Sequence, residues 1–134
     1  ASARALARFY SAITNNGEVD GVRIMDPHSV RAMRGGQSSQ LRGGVSVDWG
    51  YGFRRYAFAT ARGKKRIADA PFGCDGFGGS IALYDPRYNL AVAITVNKLG
   101  DAYGRECVRR LVRLIWELFA EGSQPLFEEW GVSS

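Results

Sequence analysis

Phe72-Gly73-Cys74-Asp75-Gly76-Phe77-Gly78-Gly79-Ser80 begins the stretch on which the fold turns, and it runs on through Ile81-Ala82-Leu83-Tyr84, Asp85-Pro86-Arg87-Tyr88-Asn89 and Leu90 to Val96. Its opening holds four glycines in the seven residues from Gly73 to Gly79. Two short apolar runs joined by a turn containing Pro86 and Asn89 predict an antiparallel hairpin. In the second run Leu90, Val92, Ile94 and Val96 fall on one face, and the smaller Ala91, Ala93 and Thr95 fall on the other. Both faces are mostly apolar, so this strand is expected in the middle of a sheet covered by helices. The glycine cluster lies just before it, where a backbone bends or lets another group come close.

On the N-terminal side, Ser2 reads as a helix N-cap followed by Leu6, Phe9, Tyr10 and Ile13 at amphipathic spacing. Asn15-Asn16-Gly17 reads as the helix end. Glu18 to Arg23 predicts a tight turn with short extended flanks, and Asp26-Pro27 starts a short second helix with Val30 and Met33 inward. Gly35-Gly36 stops that helix, and the Gly, Ser and Gln content of residues 35 to 48 predicts an exposed loop. Trp49, Tyr51 and Phe53 alternate with Gly50 and Gly52, the period of a strand with one aromatic face. Arg62, Lys64, Lys65 and Arg66 read as a solvated hairpin tip.

On the C-terminal side, Val108, Leu111, Val112, Ile115, Leu118 and Phe119 form the apolar stripe of a long helix. That helix is expected to cover the small-residue side of the strands. Gly122 reads as its cap, Pro125 lies beyond, and Leu126, Phe127 and Trp130 are expected to pack back locally. The order helix, short helix, strand, hairpin, helix predicts an α/β arrangement of the α+β sandwich type, an antiparallel sheet covered by N- and C-terminal helices.

With 134 residues the chain suffices for one domain with a real core, and residues 1–134 are read as a single unit. Hydrophobic residues make up 46% and charged residues 23%, the balance of a globular protein. No apolar run approaches the ~20 residues of a membrane span. The chain opens on Ala1-Ser2-Ala3 with neither Met nor an apolar leader segment, and it is expected to be cut from something longer. A net charge of +5 is compatible with an anionic partner without requiring one. Cys74 and Cys107 are read as unpaired thiols, though an oxidising compartment would permit them to pair.

Several chemistries fit poorly. A phosphate-cradling loop needs its glycines to open a helix, whereas Gly73 to Gly79 open a strand and no Gly-Lys-Ser/Thr is present. The single histidine, His28, sits at a predicted helix start and is read as a surface or capping residue, not as part of a Ser/His/Asp relay. One His and two distant Cys give no metal-ligand spacing, and no cofactor is expected. The basic run lacks interleaved aromatics, which leaves nucleic acid as the last-ranked partner. A glycine-rich edge strand can still offer N–H groups to a carbonyl oxygen, or pair with an extended ligand.

At this point a family resemblance enters. Ala3 to Tyr10, then Asn16 to Pro27, then Gly73-x-Asp75-Gly76-Phe77-Gly78-Gly79-Ser80, Asp85-Pro86, Leu90-Ala91-Val92 and Asn97 together resemble the C-terminal portion of the serine β-lactamase-related family. That family groups class C β-lactamases, penicillin-binding proteins and related esterases and peptidases, and the resemblance runs from residue 2 to about residue 120. It implies a nucleophilic serine in Ser-x-x-Lys, a Tyr-x-Asn or Ser-x-Asn helper, and a Lys-Thr-Gly or His-x-Gly triplet on an edge strand. The triplet falls on Cys74-Asp75-Gly76, with Cys74 in place of the Lys or His and the Phe77 N–H as an oxyanion-hole donor. The other two motifs are absent: Ser11, Ser29 and Ser80 are followed three residues on by Thr14, Ala32 and Leu83.

The resemblance therefore implies the last third of an acyl-serine hydrolase acting on an ester, amide or β-lactam. Cys74, Asp75, Gly76 and Phe77 would line its substrate groove, and the nucleophile would lie elsewhere. The expected partner is a small-molecule or peptide acyl substrate, and a truncated sheet would favour self-association. The other reading is a non-catalytic binding or scaffold protein that keeps the sheet and uses its open strand for pairing.

Overall fold

The structure, a computed structural model, describes residues 1–35, 38–42, 45–56, 58–60, 63–65, 70–98 and 102–119. Helix α1 spans Ala3–Thr14, capped by the Ser2 hydroxyl, which accepts from the Ala5 N–H. A two-residue hairpin follows, β1 (Glu18–Val19) with β2 (Val22–Arg23), and then helix α2, Pro27–Arg34. The Asp26 side chain caps α2 by accepting from the His28 and Ser29 N–H groups, so His28 is an exposed residue of a helix start, as expected.

Six strands form one antiparallel sheet: β3 (Ser38–Arg42), β4 (Val45–Gly50), β5 (Phe53–Arg55), β8 (Phe72–Asp75), β9 (Ile81–Asp85) and β10 (Leu90–Ile94), in the order β10-β9-β8-β5-β4-β3. A separate hairpin joins β6 (Phe58–Thr60) and β7 (Gly63–Lys65). Lys64 and Lys65 fall on that hairpin's second strand, whereas Arg62 and Arg66 lie outside the described residues. Helix α3 covers Ala102–Phe119. The architecture is α+β, with helices on both faces of an antiparallel sheet.

The central hairpin forms as its sequence predicts, with Leu90 opposite Asp85 and Ile94 opposite Ile81. Its place differs: β10 stands at the end of the sheet, and the strand buried along its whole length is β9. Helix α3 also covers the opposite face of the strands from the small-residue side expected for it. Tyr10 and Ile13 of α1, with Val30 of α2, pack with Phe72, Ala82, Tyr84 and the small Ala91 and Ala93. On the other face Val108, Val112 and Trp116 of α3 pack with Ile81, Leu83, Val92, Leu90 and Ile94. Volume matching explains the assignment, since the bulky side chains of α1 need alanines opposite them to reach interior density.

Three local expectations are corrected. Residues 38–42 and 45–50 form strands, not a loop, because cross-strand pairing overrides the polar composition. Trp49 to Phe53 is a hairpin turn rather than one strand: Tyr51 and Gly52 adopt φ 46° and 85°, and Gly50 pairs with Phe53. On α3 the buried row is Val108, Val112 and Trp116, while Leu111, Leu118 and Phe119 face outward. Gly122, Pro125, Leu126, Phe127 and Trp130 lie outside the described residues.

Candidate active-site groove

Strand β8 carries the triplet region, and its neighbours define what is open. Phe72 and Gly73 are paired on both sides, with Tyr84 and Leu83 of β9 and with Arg55 and Arg54 of β5. Cys74 and Asp75 pair with Ala82 and Ile81 of β9 only, because β5 ends at Phe53 and turns away through Gly52 and Tyr51. The expected edge strand is thus an interior strand whose last two residues alone have a free flank. Nor does the glycine stretch stay extended to Ser80. Gly76 to Gly79 close a turn in which the Gly79 N–H donates to the Gly76 carbonyl at 2.9 Å and the Gly76 N–H donates to the Ser80 carbonyl at 2.8 Å. The turn leaves Phe77 standing out, 80% exposed.

Alternation along β8 sends Cys74 and Asp75 to opposite faces. Cys74 is exposed on the α1 face, and the buried Tyr10 of α1 stands behind it. Burial raises the Tyr10 hydroxyl pKa far above the ordinary tyrosine range, and the neighbouring Cys74 adds to the effect. The Cys74 thiol is itself pushed up, first by desolvation from the wall behind it and then by the Asp75 carboxylate, with Arg54 pulling the other way. A thiol held in its neutral form is a poor nucleophile.

Asp75 faces α3 and is held by two groups from β5 and just beyond. Oδ1 accepts from the Tyr56 hydroxyl at 2.6 Å and from Arg54 Nη1 at 3.4 Å, and the Arg54 guanidinium also lies 5.4 Å from the Tyr56 ring centroid. Beside the turn, Arg105 of α3 donates to the Phe77 carbonyl at 3.4 Å and stacks 5.3 Å from the Phe77 ring centroid. Ser80 is engaged as well, its hydroxyl accepting from the Val96 N–H at 3.1 Å.

Along Cys74, Asp75, Gly76 and Phe77 the structure thus presents an exposed thiol on one face of the sheet, a tied carboxylate on the other and a protruding ring at the turn beyond them. Sequence reasoning missed Arg54, Tyr56, Tyr10 and Arg105. Arg54 and Tyr56 stand two apart, a signal that they share a face, but their link to Asp75 arises from pairing across nonlocal strands. No group of three or more His, Cys, Asp or Glu among the described residues is arranged to hold a metal ion. No described helix is long and apolar enough to cross a membrane.

Comparison with known proteins bears on the family and the fold. The family model described as Beta-lactamase matches residues 1–114. The esterase/beta-lactamase LipL of Mycobacterium tuberculosis is 32% identical over 102 residues, covering 74% of this chain and 22% of its own length. A penicillin-binding protein homologue from Caulobacter crescentus superposes with TM-score 0.68 at 29% identity, over 87% of this chain and 32% of that one. A family VIII carboxylesterase shares the fold, with TM-score 0.56 at 24% identity over 78% of this chain and 30% of its own. The chain thus spans 22% of the curated relative that it matches. With its family model matched over residues 1–114, this chain belongs to the beta-lactamase family.

Proposed function

We propose that residues 1–134 are the C-terminal segment of a single β-lactamase-like domain and supply one wall of an acyl-serine hydrolase site. In the complete protein a serine outside this segment takes the acyl group of an ester, amide or β-lactam, and water then releases it. Cys74, Asp75 and Gly76 form the strand against which the substrate lies, and the Phe77 N–H donates to the developing oxyanion. The observation that carries this reading is the one-sided pairing of Cys74 and Asp75, which leaves two residues of β8 open to an extended ligand.

The incompleteness rests on a second feature. β10 is an apolar strand, Leu90-Ala91-Val92-Ala93-Ile94, packed on both faces, yet no described strand pairs with its outer edge. Folded proteins protect such edges, so a further strand from the rest of the domain is the natural cover. With no Ser-x-x-Lys in the chain and a neutral thiol at Cys74, the segment alone has no nucleophile to acylate.

A neutral thiol offers no cation to a substrate carboxylate, which favours esters over penicillin-type substrates. The test is turnover of nitrocefin and of a p-nitrophenyl ester by the segment alone and by the longer protein. Ester hydrolysis by the longer protein and none by the segment is the expected result. Turnover by the segment above a heat-killed control overturns the division of labour.

A further inference from the structure

The ladder between β5 and β8 stops at the Arg54–Gly73 pair, whereas β9 continues beside Cys74 and Asp75 as far as Ile81. Asp75 therefore has no β5 partner in the ladder, and a side-chain tie stands in its place. Its Oδ1 reaches back to the Tyr56 hydroxyl at 2.6 Å and to Arg54 Nη1 at 3.4 Å. The tie is sheltered. Tyr56 is 3% exposed and packs in the core with Ile81, Leu83, Val108 and Val112, and the side chains of Arg54 and Asp75 are 13% and 14% exposed. A hydroxyl donating to a carboxylate makes a bond about twice as strong as a neutral one, and out of water it is little screened by salt.

The Gly76 to Gly79 turn springs directly from Asp75. Gly76 leans on the β9 side through its N–H to the Ser80 carbonyl, and Arg105 of α3 reaches the Phe77 carbonyl at 3.4 Å. Neither contact comes from the β5 side. Among the described residues, the hold on that side comes from Tyr56 and Arg54, and the Tyr56 bond is the shorter of the two.

We propose that Tyr56 is a positioning residue for acyl transfer: through the Asp75 carboxylate it fixes the end of β8, and with it the Gly76–Phe77 peptide whose N–H donates to the oxyanion. This role rests on the hydrolase reading above. Tyr56 touches no reacting atom in it and acts through Asp75 alone. A preorganised donor stabilises the transition state only where it meets the developing charge, so letting it drift costs rate more than substrate binding. Asp85 offers a control. It holds Trp116, a member of the same core cluster as Tyr56, at the opposite end of β9 from Ile81.

The test uses the longer protein, with kcat and KM measured on a p-nitrophenyl ester and amide hydrogen exchange followed by mass spectrometry on the same samples. Tyr56→Phe is expected to lower kcat about tenfold and to leave KM within about twofold. Exchange in residues 72–80 is expected to quicken several-fold, while residues 84–92 keep the parent rate. Trp116→Phe removes a bond from the same core without reaching Asp75, and it is expected to leave kcat unchanged. An unchanged kcat in Tyr56→Phe overturns the proposal, as does a rise in KM alone or an equal loss of kcat in Trp116→Phe. A slowed Tyr56→Phe variant whose residues 72–80 exchange like the parent's also overturns it. A parent protein that hydrolyses no ester removes the hydrolase reading and this role with it, whereas an active parent indifferent to Tyr56→Phe removes the positioning role alone.

Discussion

The hydroxyl of Tyr56 donates a 2.6 Å hydrogen bond to Asp75, the residue beside the exposed thiol of Cys74. Tyr56 is buried, and burial together with the Asp75 carboxylate raises its pKa well above the ordinary value of 10.0. Burial raises Tyr10 in the same direction. A tyrosine that holds its proton more tightly folded than unfolded adds stability that is whole below about pH 10 and declines as pH climbs past it. Alkaline destabilisation is therefore expected to set in near pH 10, and Tyr10→Phe combined with Tyr56→Phe should flatten that slope. Urea midpoints measured from pH 8 upward in about half-unit steps check it. Tyr56→Phe alone should cost about 1–2 kcal/mol at neutral pH, through the lost bond to Asp75.

A second prediction concerns Asp85, the one buried charged residue described, fully enclosed at the end of β9. It accepts from Trp116 Nε1 at 2.9 Å and from Arg87 at three points, the main-chain N–H, Nε and Nη2. Asp85→Ala leaves a buried indole N–H and a half-buried guanidinium without that acceptor. A loss of about 3–5 kcal/mol is expected in urea unfolding. Trp116→Phe, which keeps much of the volume and removes one donor, should cost clearly less.

How far these contacts could be read from the chain depends on their range. Helix α1 and the central hairpin were legible because Ser2, the Asn15 to Gly17 stop and the Pro86–Asn89 turn sit next to the periodic runs that they bound. The Tyr51–Gly52 turn was not. A two-residue hairpin flanked by aromatics keeps the same alternation as a continuous strand, and only the positive φ values distinguish them. Trp116 extends the Val108–Val112 row by one further turn of helix. Its burial depends on a carboxylate 31 residues away in sequence, which no local pattern announces. The bend of the backbone between Gly76 and Gly79 was legible from its glycines, but the flank of β8 was not, because β5 reaches β8 only through the fold.

Two glycines are expected to respond very differently to alanine. A Cβ on Gly73 would stand 2.0 Å from the Ala82 carbonyl oxygen and 2.9 Å from the Leu83 Cα, backbone that can yield only by parting β8 from β9. Gly73→Ala should cost about 3 kcal/mol or more, or prevent folding outright. Gly52 has φ +85° with open space around it, so Gly52→Ala should cost only about 1–2 kcal/mol in backbone strain. Paired thermal melts of the two variants make the comparison.

The thiol of Cys74 supplies a fourth prediction. Its pKa is raised, so at pH 7 to 8 it should react with iodoacetamide several-fold more slowly than free cysteine despite its exposure, and it should accelerate as the pH is raised. The measurement uses Cys107→Ser, which leaves one thiol to follow by mass spectrometry. A rate above that of free cysteine would restore Cys74 as a candidate nucleophile.

The β4–β5 turn at Tyr51 and Gly52 acts as a stop that fixes how much of β8 is covered by β5. Lengthening each arm of that hairpin by two residues would zip β5 along Cys74 and Asp75 and seal the slot. Shortening it would bare Gly73 and Phe72 as well. The length of bare β8 is thus metered by the length of a neighbouring loop, and it can be changed there without altering a residue of β8 itself.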